Sequence, residues 1–310
     1  MLKARIRSIL PAPAIAALRR GKKRARGLRY QLRKRTGCAV VTSSHLVEGL
    51  RAVGVRSGDG VFAHVSLSAF GEVEGGPDTV VDALVEAVGP EGIVAMPSFP
   101  LIGGTAEYLA TNPIFDVRRT PSRMGAVTEC FRLRPGVARS LHPTHSVAAL
   151  GPGADELVAH HERAATPFGG GTPYERMIER GFVQLWLGLG LRIFTLYHAY
   201  ECLRPGGYPI AVFLERPVRA RCIDSEGNEL TVETLVHDPA VGARKDSRRV
   251  AMHDALVDAG VLHEATVGRG PVLAARMPEL FAALEEILQR GITIYAFPVA
   301  GGSASSSVAS

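Results

Sequence analysis

The chain has 310 residues, 46% of them hydrophobic and 21% charged, enough to bury a sizeable core in one large or two medium domains. Its four cysteines, Cys38, Cys130, Cys202 and Cys222, form no closely spaced pair, which argues against a disulfide framework or a cysteine-based zinc site and reads as a reducing, cytoplasmic setting. The net charge of +6 is uneven: residues 1–36 hold 13 of the 36 Lys and Arg and no acid, leaving 23 basic against 30 acidic residues in the remainder.

The basic residues run from Lys3 to Arg35. This arm reads as a solvated extension or a helix packed on its own acidic body. Contact with an anionic membrane surface, at roughly 1 kcal/mol per basic residue, is the alternative, and no nucleic-acid partner is expected. No apolar run approaches the roughly 20 residues of a membrane span, and the short stretch near Ile9 is broken by Pro11 and Pro13. The expected organisation is a basic arm over 1–36, one domain over 37–300 and a flexible tail of small residues over 301–310; nothing in the sequence sets an oligomeric state.

Strand and helix units alternate from Val61 onward. The run Val61–Val65 predicts a strand, a glycine-bearing turn follows through Gly76, and apolar residues from Val80 to Val88 at helical spacing predict a helix capped by Asp78. Ile93–Met96 predicts the next strand. Thr120, Pro121 and Ser122 read as a helix opening ahead of Gly125–Leu133, and Val147–Leu150 as a short buried strand. A short helix is expected around Asp155–Val158, another over Tyr174–Ile178, then a strand over Val183–Leu189 and a helix starting at Thr195. Val218–Ile223 and Leu230–Leu235 flank a turn and predict a hairpin, and a helix over Met277–Gln289 precedes a strand over Ile292–Phe297. The pattern predicts an α/β fold, a three-layer α/β/α arrangement with a mainly parallel central sheet and a C-terminal antiparallel β-hairpin added to it.

His198 and Glu201 lie three apart just inside a predicted helix, on one face, and can hydrogen-bond as a base and its orienting carboxylate. A histidine of pKa about 6 to 7 can take the proton an amine loses during acyl transfer. His142 and His145 flank Pro143 in a turn; together with His198 and Glu201 they would also suit zinc in a metal-dependent hydrolase. The turn holding Gly75 and Gly76 offers backbone amides to a phosphate or pantetheine arm. Thr120 and Ser122, beside Arg118, Arg119 and Arg123, offer a second anion site. Gly169–Gly171 is an ordinary connection or a substrate-facing lid.

The ordered segments HVSLSAFGEVEGG (64–76), TPSRMGAVTECFR (120–132), RSLHPTHSVAALGP (139–152), GTPYERM (171–177) and LYHAYE (196–201) together resemble the aminoglycoside 3-N-acetyltransferase family over roughly residues 43–300. The resemblance implies acetyl-CoA as co-substrate, no metal, and direct transfer to a small-molecule amine with no covalent enzyme intermediate. By motif match it makes His198 the catalytic histidine and Glu201 its partner, puts His64, Ser66, Leu67 and Ser122 at the coenzyme A site with His142 near it, and suggests Asp238 as a third catalytic member. The loop after Phe99 lacks the adjacent acids some members use for a cationic sugar, and His145 is unusual; the form HPTHS looks more like members acting on biosynthetic amines. A third class, a non-catalytic binding protein recruited by its basic arm, is disfavoured by the intact His198 and Glu201.

Overall fold

A computed structural model describes residues 40–246 and 249–296. The basic arm and the small-residue tail lie outside the described residues. Strand β1 (Gly60–Val65) is the centre of a seven-stranded sheet ordered β4-β5-β2-β1-β6-β10-β9, made by β2 (Ile93–Pro97), β4 (Ala138–Arg139), β5 (Val147–Leu150), β6 (Val183–Leu187), β9 (His263–Val267) and β10 (Gly270–Arg276). Only the central strands are parallel, β1 with β2 and β1 with β6; every other pairing in this sheet is antiparallel. The expectation of a mainly parallel sheet therefore holds for its middle, and the sheet as a whole is mixed.

Both faces are covered, which is why the central strands read as continuous apolar runs. Val61, Ala63 and Val65 face α1 (Ser43–Ala52), α2 (Pro77–Val88) and α4 (Ala126–Arg132) in one apolar cluster. Phe62 alternates to the other face and joins Trp186 of β6. That second cluster is closed by α6 (Pro173–Glu179), α7 (Thr195–Leu203), α9 (Val250–Asp258) and α10 (Met277–Gln289). Short α3 (Thr105–Ala110) and α5 (Ala154–Val158) lie in the connections.

A separate three-stranded sheet pairs β3 (Ile114–Asp116) in parallel with β7 (Val218–Ile223), which forms an antiparallel hairpin with β8 (Glu229–Thr234). Asp224 holds the hairpin turn, its Oδ1 accepting from the amides of Glu226, Gly227 and Asn228 at 2.8–2.9 Å. The hairpin predicted from sequence thus belongs to its own sheet with β3, its small core made by Phe115, Cys222 and Val232.

Two helix starts differ from the sequence reading. Helix α2 is capped by Gly76 with Pro77 at its first position, so Asp78 sits inside the first turn and does not cap it. Helix α4 begins only after Gly125, whose φ of 122° no other residue adopts readily, so Thr120 and Ser122 do not open it. Between Leu235 and Met277 the sequence reading carries no element, yet α8 (Pro239–Gly242), α9, β9 and β10 occupy it. Strand β9 is largely exposed and β10 contains Pro271, so neither shows the apolar alternation that marks a strand. The expected strand over 292–297 is reduced to one antiparallel bridge between Tyr295 and Lys245, with Phe297 outside the described residues. Among the described residues no helix is long and apolar enough to cross a membrane.

Candidate active site

The carboxyl ends of β1 and β6 lie side by side, with Val65 opposite Leu187 and the Ser66 amide donating to Leu187 O at 2.8 Å. Loops leaving both strands therefore face one cleft, the usual ligand position in an α/β sheet. The cleft encloses about 890 Å³, and its walls include His64, Ser66, Leu67, Gly76, Arg123 and Arg269. That volume suits a large organic ligand, and the two guanidinium groups suit anionic groups upon it. Gly75 shares the turn but is not a lining residue; with φ of 70° and 74°, Gly75 and Gly76 need the left-handed region that glycine allows.

His64 ties the cleft to the helix behind it. Its Nδ1 accepts from the Gln184 amide at 3.1 Å, so Nε2 carries the proton and donates to Thr195 Oγ1 at 2.9 Å. Burial lowers its pKa to about 3, which keeps the ring neutral. Thr195 is the first residue of α7, and the loop before that helix is pinned by Trp186 Nε1 donating to Ile193 O at 2.6 Å.

One turn further along α7, His198 Nδ1 donates to Glu201 Oε2 at 2.7 Å. Glu201 Oε1 accepts from the Tyr295 hydroxyl at 2.6 Å, and His237 Nε2 stands 3.5 Å from Oε2. Both helix residues are buried. Burial pushes the Glu201 carboxyl up, but the neighbouring His198 and the hydrogen bonds from both histidines outweigh it and hold the group ionised, well below the ordinary carboxylate range. Burial pulls His198 down to about 3 against the upward pull of Glu201, helped by His237 and Lys245. The pair at neutral pH is therefore a carboxylate holding a neutral imidazole. Its free lone pair, on Nε2, meets Lys245 Nζ at 2.9 Å.

The histidines of the Leu141–Ser146 turn make no hydrogen bond to this pair, although His145 packs on Phe168, whose ring also contacts His198. His142 Nδ1 accepts the amides of Thr144 and His145 at 3.3 and 3.1 Å, and its ring lies 4.5 Å from that of His161. Burial lowers both His142 and His145 well below their ordinary value. His142 is fully buried and is not a lining residue of the cleft; the turn holds it inside the fold. His145 packs edge-on against Phe99 with ring centres 4.7 Å apart.

The second anion site does not assemble. Thr120 Oγ1 accepts from the Asp116 amide at 2.8 Å, and Asp116 Oδ1 accepts from the amides of Arg118 and Arg119. The Ser122 amide donates to Glu129 at 2.7 Å, so the chain's own carboxylate fills the place, and the Ser122 hydroxyl is 3.0 Å from that of Thr128. Of Thr120, Ser122 and the three arginines, Arg123 alone lines the cleft. Asp238 likewise serves the backbone: its Oδ1 accepts from Ala240 N at 2.8 Å as the cap of α8, and His237 beside it reaches Glu201. Gly169 and Gly170 border a smaller pocket of about 530 Å³ that also touches Glu201 and Glu215.

The zinc-like donor group that does form among the described residues is His198, Glu201 and His237, with atoms within 4.8 Å of one another. The 2.7 Å between His198 Nδ1 and Glu201 Oε2 is a hydrogen bond, shorter than the about 3.3 Å between two ligands of a tetrahedral zinc. Lys245 adds a cation beside it. His142 and His145 are not in the group.

Residues 62–289 match the aminoglycoside 3-N-acetyltransferase family. The chain belongs to this family. It is 33% identical over 220 residues to aminoglycoside N(3)-acetyltransferase VII of Streptomyces paromomycinus, covering 63% of this chain and 75% of that enzyme. Across matched relatives of this kind the shared part spans from 60% to 79% of their length. A solved structure of AAC-VIa bound to sisomicin superposes with a TM-score of 0.63 at 29% identity, over 81% of this chain and 98% of that one. AAC-IIIb in a binary complex with CoASH shares the fold with a TM-score of 0.67 at 24% identity, over 81% and 97%.

Within this acetyltransferase frame the sequence reading missed His237, Lys245, Tyr295 and Arg269. Each comes from the region after β8 that carried no motif, and lies 36 or more residues from His198 or in another element. A weak signal existed only for His237, the neighbour of the aspartate chosen instead.

Proposed function

We propose that the chain transfers the acetyl group of acetyl-CoA, the co-substrate of its family, to an amine of an aminoglycoside or related amino sugar, with His198 as general base. The observation that carries this reading is the 2.7 Å bond from His198 Nδ1 to Glu201, which fixes the tautomer and leaves Nε2 unprotonated. The cleft walled by His64, Ser66, Leu67, Gly76, Arg123 and Arg269 would hold the coenzyme, its guanidinium groups taking phosphates. His64, locked to Thr195, sets the distance between that cleft and the helix of the base.

In the reaction the acceptor nitrogen attacks the thioester carbon while His198 Nε2 takes its proton. The C–N bond forms, the C–S bond breaks, and the proton passes to the departing thiolate. Glu201 stabilises the transient imidazolium, with Tyr295 holding the carboxylate from its other oxygen. General-base assistance of this kind is worth about 10²- to 10⁴-fold. Lys245 must leave Nε2 for an acceptor to reach it. Because its cation is one of the groups that lower His198, its departure strengthens the base.

A biosynthetic amine is the second reading within the family, and the loop after Phe99, which carries no adjacent acids, favours an acceptor of lower positive charge. We assign residues 37–300 to the catalytic domain and the cytoplasm as its compartment, where acetyl-CoA is at hand. The test is mass-spectrometric detection of acetylated product from acetyl-CoA with sisomicin and a panel of amino sugars. Product on none of them would overturn the reading.

A further inference from the structure

Lys245 falls in no motif, yet its Nζ stands 2.9 Å from His198 Nε2. That is the atom, and the distance, at which a general base must hold the nitrogen it deprotonates. The backbone delivering it is fixed: Lys245 bridges Tyr295, Asp246 N donates to Ile294 O at 2.8 Å, and Ala296 N donates to Arg244 O at 2.8 Å. Tyr295, on the facing segment, holds Glu201. One staple therefore carries both the amine at Nε2 and the hydroxyl at the carboxylate.

The composition makes this lysine unusual. The chain has five lysines, Lys3, Lys22, Lys23, Lys34 and Lys245, so every basic residue after Lys34 except this one is arginine or histidine. A guanidinium stays protonated and cannot act as an acyl acceptor, whereas a lysine amine can. Burial also lowers the pKa of Lys245, which raises the share of free amine.

We infer that Lys245 is a built-in acceptor, acetylated once at Nζ by acetyl-CoA when no amine substrate displaces it. This rests on the acetyltransferase reading above. The Nζ lone pair forms the new C–N bond to the thioester carbon, a proton leaves Nζ for His198 Nε2, the C–S bond breaks, and coenzyme A departs as the thiol with that proton. The product is an uncharged amide against the base, so the modified chain no longer turns over free amines.

The experiment incubates the full chain with acetyl-CoA alone and follows intact mass and the peptide bearing Lys245. One acetyl per chain at Lys245 is expected, absent in Lys245→Arg, absent in His198→Ala and in His198→Gln, and slowed at least tenfold by sisomicin or another amine that the enzyme acetylates. Thermal melts of the three variants confirm that each is folded. Acetylation of Lys245 at the same rate in the His198 variants would overturn the inference, because it would be chemical rather than enzymatic. So would an unmodified Lys245 in a chain that acetylates an added amine, and that result would leave the transferase reading standing. No transfer to either Lys245 or any amine would remove both.

Discussion

Replacing Glu201 by Gln removes the charge beside His198 and keeps the shape. The 2.7 Å bond at Nδ1 is charge-assisted and buried, so it is worth about 1.5–3 kcal/mol where a neutral bond is worth about 0.5–1.5. The difference, at about 1.4 kcal/mol per tenfold, sets a loss of roughly tenfold in rate, rising toward 100-fold because the carboxylate also stabilises the imidazolium. Gln can still accept from Nδ1 with its oxygen while its amide donates to the Tyr295 hydroxyl, which preserves the tautomer. Measured as kcat for thiol release from acetyl-CoA with an acceptor, Glu201→Gln should lose about 10- to 100-fold with KM for acetyl-CoA little changed. A loss equal to that of His198→Ala would mean that Glu201 itself moves a proton, and no loss would mean that it does not act on His198.

Arg123→Ala and Arg269→Ala should each raise the KM for acetyl-CoA by about 10-fold or more with kcat nearly kept, as expected when a charge-assisted phosphate contact is removed; a fall confined to kcat would contradict the cleft assignment. Asp238→Asn should change kcat by less than about threefold, because Asn also caps a helix, whereas Tyr295→Phe should lower kcat and cost about 1–3 kcal/mol in urea unfolding by stripping Glu201 of a buried donor. Stability should fall on acidification: burial lowers His64 to about 3 and His161 to about 4, so below pH about 6.5 the unfolded chain binds protons that the folded chain does not. Melting temperature should drop steadily from about pH 6.5 toward pH 4; a rise in that window would contradict the buried neutral rings.

What the sequence made legible was whatever repeats locally. Val61–Val65, Val80–Val88 and Met277–Gln289 carry their period in consecutive residues, and the structure puts strands and helices there. His198 and Glu201 share a face by a three-residue spacing that only a helix gives, so their bond could be read before any coordinates. Neither partner of that pair on its far side is local. Tyr295 reaches Glu201 across 94 residues and Lys245 reaches His198 across 47, through a bridge that no periodicity marks. Ser122 and Asp238 are ambiguous in sequence for the same reason: a hydroxyl or carboxylate beside a helix start can cap, bind or catalyse, and the structure engages both with the chain's own backbone and side chains.

In the proposed mechanism His198 takes the acceptor's proton. Free thiol release from acetyl-CoA, followed with an acceptor amine over the neutral pH range in wild type and His198→Ala, tests it most directly. A loss of about 10²- to 10⁴-fold in kcat is expected for the variant, with its fold and acetyl-CoA binding retained. A variant that matches wild type would contradict it.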